Sequence, residues 1–123
     1  MFDRNQGSTL EAQYRLTKTE EQRRALHVRV QAALASLYQR LSSARNEAIS
    51  LKNEVLPGAR SVFDATGEGF RQGKFGYLDV LDAQRTFFEA QARYTEALAV
   101  LQKAIADAEA LLGEALDEIE DPA

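Results

Sequence analysis

Almost everything that stops a helix in this 123-residue chain is gathered in one place. Four of the seven glycines lie between Gly67 and Gly76, and one of the two prolines is the penultimate residue. On both sides run long Ala-rich stretches with apolar residues at helical spacing, in which Pro57, followed by Gly58, is the one strong interruption. A chain punctuated in this way has few options. It reads as two long helices joined by a tight reversal, an all-α antiparallel hairpin of coiled-coil character. The reversal falls in Phe70–Gln84 (FRQGKFGYLDVLDAQ), where a glycine-rich turn leads into a helix start carrying Asp79 and Asp82.

The spacing sets the expected elements. A first helix runs over about 8–69, with Ser8 or Thr9 as its N-cap and Glu11 near the capping-box position. Its seam is Leu26, Val30, Ala33, Leu37, Leu41, Ala44, Ala48, Leu51 and Val55. Proline removes an intrahelical hydrogen bond and crowds the preceding turn, so a bend or local break is expected near Asn53–Pro57. The tip spans about 70–76, where Gly73 supplies positive φ and Gly76 serves as an N-cap. A second helix covers about 77–113, and residues 114–123 form an acidic, frayed tail.

The second helix carries two apolar seams. One is Phe87, Ala90, Tyr94, Ala97, Leu101, Ala104, Ala108 and Leu111; the other, on an adjacent face, is Leu81, Phe88, Thr95, Leu98, Ile105 and Leu112. One seam suffices for an isolated hairpin, so two point to self-association or a larger helical array. Folding the arms together about Gly73 also leaves roughly 25 residues at the start of the first helix without an intrachain partner.

Composition narrows the chemistry. A net charge of −4 gives no reason to invoke nucleic acid. Residues 1–66 hold ten Lys/Arg against seven Asp/Glu, and residues 67–123 hold five against twelve, so the two arms attract weakly when paired. With no cysteine and one histidine, His27, a conventional transition-metal site within one copy is not expected. His27 sits among Arg23, Arg24 and Arg29 and reads as a solvated or seam-edge residue. The tip glycines lack the GK[ST] of a phosphate loop. No pocket-forming pattern accompanies Asp79 and Asp82, so neither a catalytic residue nor a cofactor is assigned.

The tip RQGKFGYLDVLDAQRTFFEAQARY, followed by an Ala/Leu-rich helix ending in ALLG, resembles the C-terminal repeat of the TolC-like outer-membrane efflux proteins. The opening MFDRNQG is similar to the heavy-metal (CzcC-type) branch of that family. The resemblance implies a homotrimeric parent with a β-barrel in the outer membrane and a periplasmic α-helical tunnel, built from two repeats per chain. It also implies partners: a periplasmic adaptor and, through it, an inner-membrane pump of the RND type. On this reading the chain is the periplasmic hairpin of a longer protein. Phe2–Gln6 would be the remnant of a strand, Met1 an added start, and the transported substrate heavy-metal cations.

Carried onto this sequence, the resemblance places Phe70, Gly73, Lys74 and Phe75 at the periplasmic mouth. It makes Phe70, Arg71, Gly73, Lys74, Phe75 and Tyr77 the tip and adaptor contact. Asp79 and Asp82 become carboxylate rings lining the entrance. Some members hold the mouth shut with polar links from a tyrosine and an arginine where this chain has Phe70 and Phe75, so those links do not transfer. The residues alone leave other readings open. Asp79 and Asp82 also fit helix-dipole compensation, and the tip aromatics also fit local packing that closes the hairpin. A stand-alone coiled-coil scaffold, or a periplasmic adaptor hairpin binding through its tip, is the alternative function, although the arginine–leucine–serine pattern of adaptor tips is absent between Phe70 and Gln84.

Overall fold

The computed structural model describes the backbone of residues 3–120 and the side chains of residues 5–117 and Glu120. All regular structure among them is helical: α1 (Asp3–Ser50), a π-helical turn (Leu51–Val55), α2 (Leu56–Arg71) and α3 (Tyr77–Glu120). The all-α hairpin expected from the sequence is the fold that forms. No helix among the described residues is long and apolar enough to cross a membrane.

The chain divides between Ser36 and Leu37 into two units. In the first, every described side chain from Asn5 to Ser36 is exposed, including Leu10, Tyr14, Leu16, Leu26, Val28 and Val30. The run of exposed side chains is thus somewhat longer than the roughly 25 residues expected to lie beyond the hairpin. Its helix starts earlier than expected as well. Ser8 Oγ donates to the Asn5 carbonyl at 3.1 Å and Thr9 Oγ1 to the same oxygen at 2.7 Å, so both hydroxyls lie inside the helix and neither caps it. Residues 3–6, expected as a strand remnant, are helical, since nothing in Asp-Arg-Asn-Gln breaks a helix. Met1 and Phe2 lie outside the described residues.

The second unit is the hairpin. Along α3 the buried and half-buried positions run from Val80 through Ala83, Phe87, Ala90, Tyr94, Ala97, Leu101, Ala104, Ala108 and Leu111 to Ala115, in unbroken three-four alternation. The first arm answers with Leu37, Leu41, Ala44, Ala48 and Leu51, then Leu56, Ala59, Phe63 and Thr66. One step is different: from Leu51 to Leu56 the seam advances by five. Val55, expected to continue it, is exposed at 41%. The extra residue is taken up by the π-turn, where Leu56 N–H donates to Leu51 O. Pro57 follows in the first turn of α2. An α-turn there would set its ring against the Asn53 carbonyl. The helix widens at this point: where the sequence predicts a bend or local break, the α-helix is interrupted by a π-turn and the chain stays helical through it.

The seam is thin. Its buried residues are six alanines with Leu51 and Phe87, and no large side chain is fully enclosed. Alanine lets two helices approach closely but contributes little area per residue, so stability is spread along the whole contact. Ala48, Leu51 and Ala97 form the buried cluster, with Tyr94 and Leu101 packed against it. Nearer the tip, Phe63 and Phe87 stack with ring centroids 6.0 Å apart and planes 4° from parallel. The Arg60 guanidinium lies 5.5 Å from the Phe87 centroid, steered by Asp64 Oδ2 at 3.1 Å from its Nε.

Two further expectations resolve here. The second seam of α3 is surface: Leu81, Phe88, Leu98 and Leu112 are exposed, while Ile105 is half-buried. The helix also passes through Gly113 to Glu120, so the acidic segment is helical to that point; residues 121–123 lie outside the described residues. Gly113 costs about 1 kcal/mol relative to alanine, too little to end a long helix.

Candidate functional site: the hairpin tip

The reversal is built from two helix ends set back to back. α2 closes with the Schellman pattern. Lys74 N–H donates to Gly69 O at 2.8 Å and Gly73 N–H to Phe70 O at 2.9 Å, while Gln72 N–H reaches Glu68 O at 3.1 Å. The chain must pass through left-handed backbone at C′, and it does so at Gly73, with φ of 71°. This is the role the sequence assigns to that glycine.

A second glycine matters for a different reason. A Cβ placed on Gly69 would lie 2.2 Å from Cδ2 and 2.5 Å from Cε2 of Phe75, so the Phe75 ring sits in the notch that glycine leaves. The ring folds over the end of α2 while remaining 49% exposed. Phe70 and Tyr77 meet across the turn with centroids 6.0 Å apart and a 56° tilt. The tip aromatics thus pack locally against the turn, and each still shows much of its surface. Leu78, which sequence reasoning passed over, is the barest of the neighbouring apolar side chains at 78%.

α3 starts at Tyr77 with Gly76 as its N-cap. Asp79, in the first turn, accepts the Gly76 N–H at Oδ2 over 2.8 Å, the returning half of a capping box. Asp82 lies one turn on, with Oδ1 3.5 Å from Arg85 Nη2. Both are exposed. Their spacing puts them on neighbouring positions of one helix face, but they are engaged differently: Asp79 is bound to the turn, and Asp82 is loosely paired with the Arg85 cation, which also lies 3.7 Å from Glu89.

Polar order on the other side of the tip comes from Glu68. Its Oε2 accepts from Arg71 Nε at 3.0 Å and Nη2 at 2.6 Å, and its Oε1 accepts from Gln72 Nε2 at 2.9 Å. These hydrogen bonds and the Arg71 charge hold the Glu68 carboxyl below its ordinary pKa. Arg71, expected as a tip contact, is thus tied down along the helix, while Lys74 stands exposed at the apex. The i,i+3 and i,i+4 spacings of Glu68 to Arg71 and Gln72 are visible in the sequence and mark the cluster. The Gly69–Phe75 contact has no such local signature. Among the described residues no three His, Asp or Glu side chains are placed to hold a metal ion together.

The hairpin and its double-capped tip define a long helical-hairpin element, and comparison with known proteins says to which family it belongs. Residues 1–114 match the model of the outer membrane efflux protein family. The chain belongs to that family. Among curated relatives, it is 41% identical over 113 residues to the cobalt-zinc-cadmium resistance protein CzcC of Cupriavidus metallidurans. That match takes in 92% of this chain and 27% of the relative, so the chain spans about a quarter of the length of the protein it resembles. No solved structure matches it significantly.

Proposed function

We propose that this chain forms the tip-bearing periplasmic hairpin of an outer-membrane efflux duct that exports heavy-metal cations. The observation that carries the reading is the family match over residues 1–114, which contains both arms and the tip. The relative's named role in cobalt, zinc and cadmium resistance supplies the substrate class. In such a duct the hairpin does no chemistry. It walls a passage, and the energy comes from an inner-membrane RND-type pump reached through a periplasmic adaptor. Three copies close the wall in the full-length protein, using the exposed apolar side chains of α1 and the second stripe of α3.

At the mouth, Phe70, Arg71, Gly73, Lys74, Phe75 and Tyr77 present a mixed apolar and cationic edge to the adaptor. Asp79 and Asp82 form rings of negative potential that raise the local cation concentration. Because Asp79 also caps α3, Asp82 is the better placed of the two to meet a passing ion.

The test is a chimera in which this chain replaces the matching 113-residue segment of CzcC. It is expressed in a strain lacking CzcC and sensitive to cobalt, zinc and cadmium. Restored resistance to the three cations is expected, with loss of resistance on Asp82→Lys. A chimera that reaches the outer membrane as a trimer yet restores nothing would overturn the proposal.

A further inference from the structure

The π-turn at Leu51–Val55 separates two correctly phased halves of one apolar stripe. Before it, Leu37, Leu41, Ala44, Ala48 and Leu51 follow the four-three rhythm; after it, Leu56, Ala59, Phe63 and Thr66 follow the same rhythm. Had the helix stayed α throughout, the stripe would continue from Leu51 to Val55, Gly58, Val62 and Ala65. Each residue turns an α-helix by about 100°, so losing the inserted residue's compensation would rotate α2 by that angle about its own axis. Phe63 would leave its stack with Phe87, and Val62, now 57% exposed, would turn inward. The facing helix α3 has no matching insertion, since its alternation is unbroken from Val80 to Ala115.

We infer that the π-turn is a phase adapter, held by the number of residues between the two half-stripes and not by Pro57. Two causes compete. Pro57 disfavours an α-turn at Asn53 for local reasons, and the seam disfavours it because Phe63 would be mis-aimed. The seam is the stronger of the two, because it sums contacts from Leu56 to Thr66, whereas the proline affects one turn. On this account Pro57 occupies a turn that was already widened and is not a joint about which the helix swings.

The experiment uses the full 123-residue chain and three variants. Backbone chemical shifts and amide–carbonyl couplings report π or α pairing at Leu51–Leu56, and ring–ring cross-peaks report the Phe63–Phe87 stack. Pro57→Ala is expected to keep both the Leu56-to-Leu51 bond and the ring contact, with a midpoint temperature within about 5 °C of the parent. Deleting Glu54 together with Pro57→Ala is expected to give continuous α pairing with the ring contact intact. Inserting an alanine after Glu54 in the Pro57→Ala background should abolish the ring contact or the cooperative melt. Loss of the π pairing in Pro57→Ala alone would overturn the inference. So would loss of the ring contact, or failure to fold, in the deletion variant.

Discussion

Gly69→Ala pits two effects of similar size against each other. Gly69 lies in α2 without positive φ, so alanine fits the backbone and gains about 0.8–1 kcal/mol of helix propensity. Against this, the new methyl would fall 2.2–2.5 Å from two ring carbons of Phe75 and 3.3 Å from Cγ, so the ring has to turn about its axis or move out of the notch. It is 49% exposed, so about half of a phenylalanine's burial, roughly 1 kcal/mol, is the most that its displacement costs. The two terms nearly cancel, and Gly69→Ala in the parent should change stability by less than about 0.5 kcal/mol or be mildly destabilising. The informative quantity is the coupling. In a Phe75→Ala background the notch is empty, so the same substitution should stabilise by about 1 kcal/mol. Urea denaturation of the four proteins, followed by far-ultraviolet circular dichroism, measures both. Equal stabilisation by Gly69→Ala in the two backgrounds would refute the notch.

Asp79→Ala should cost about 0.5–1 kcal/mol through loss of the Gly76 cap, and Asp82→Ala less than about 0.5 kcal/mol, both read by thermal melts. Equal losses would show that the cap contributes nothing. Phe87→Ala removes the largest buried side chain of the seam and should destabilise by about 3 kcal/mol, with Phe88→Ala near neutral because Phe88 is 54% exposed. For Glu68 the folded-state pKa is depressed, so its contribution is present above the ordinary glutamate value of 4.5 and is lost as pH falls through the lowered one. Glu68→Gln should therefore flatten the stability profile of the chain below about pH 4.5, and an unchanged acid limb would count against the Arg71–Gln72 cluster.

The parts of this fold that were legible in the sequence are those governed by an uninterrupted period or a local backbone demand. The α3 stripe from Phe87 to Leu111 follows directly from three-four spacing, and Gly73 follows from the need for a left-handed residue where the chain reverses. Val55 was misplaced because an inserted residue leaves no mark in composition: it shifts phase, and both candidate phases offer apolar side chains. Ser8 was misread because a hydroxyl satisfies itself as well by bonding back along a helix as by starting one. At the tip, the aromatic and charged residues that attract notice by type lie together around the reversal. Gly69 was not assigned its role, since a close approach between residues 69 and 75 is a fact of three dimensions. Asp79 was recognised by its charge, while its hydrogen-bond partner awaited the geometry of the turn.

The alanines of α3 recur every seven residues, at Ala83, Ala90, Ala97 and Ala104, with a larger side chain at Phe87, Tyr94 and Leu101 between them. Such a row matches itself when displaced by one repeat, about 10.5 Å along the axis. Each position of the facing arm then meets a side chain of similar size to before, much as a zip closes equally well one tooth out of step. The seam specifies which faces touch but discriminates weakly between alignments. Choosing the alignment falls to the features that occur once: the glycine-locked reversal, which leaves no slack for seven surplus residues, and the widened turn at Leu51–Val55, which has no counterpart to slide against. A hairpin of this kind should be insensitive to conservative changes along its shafts and acutely sensitive to any change of length near its apex.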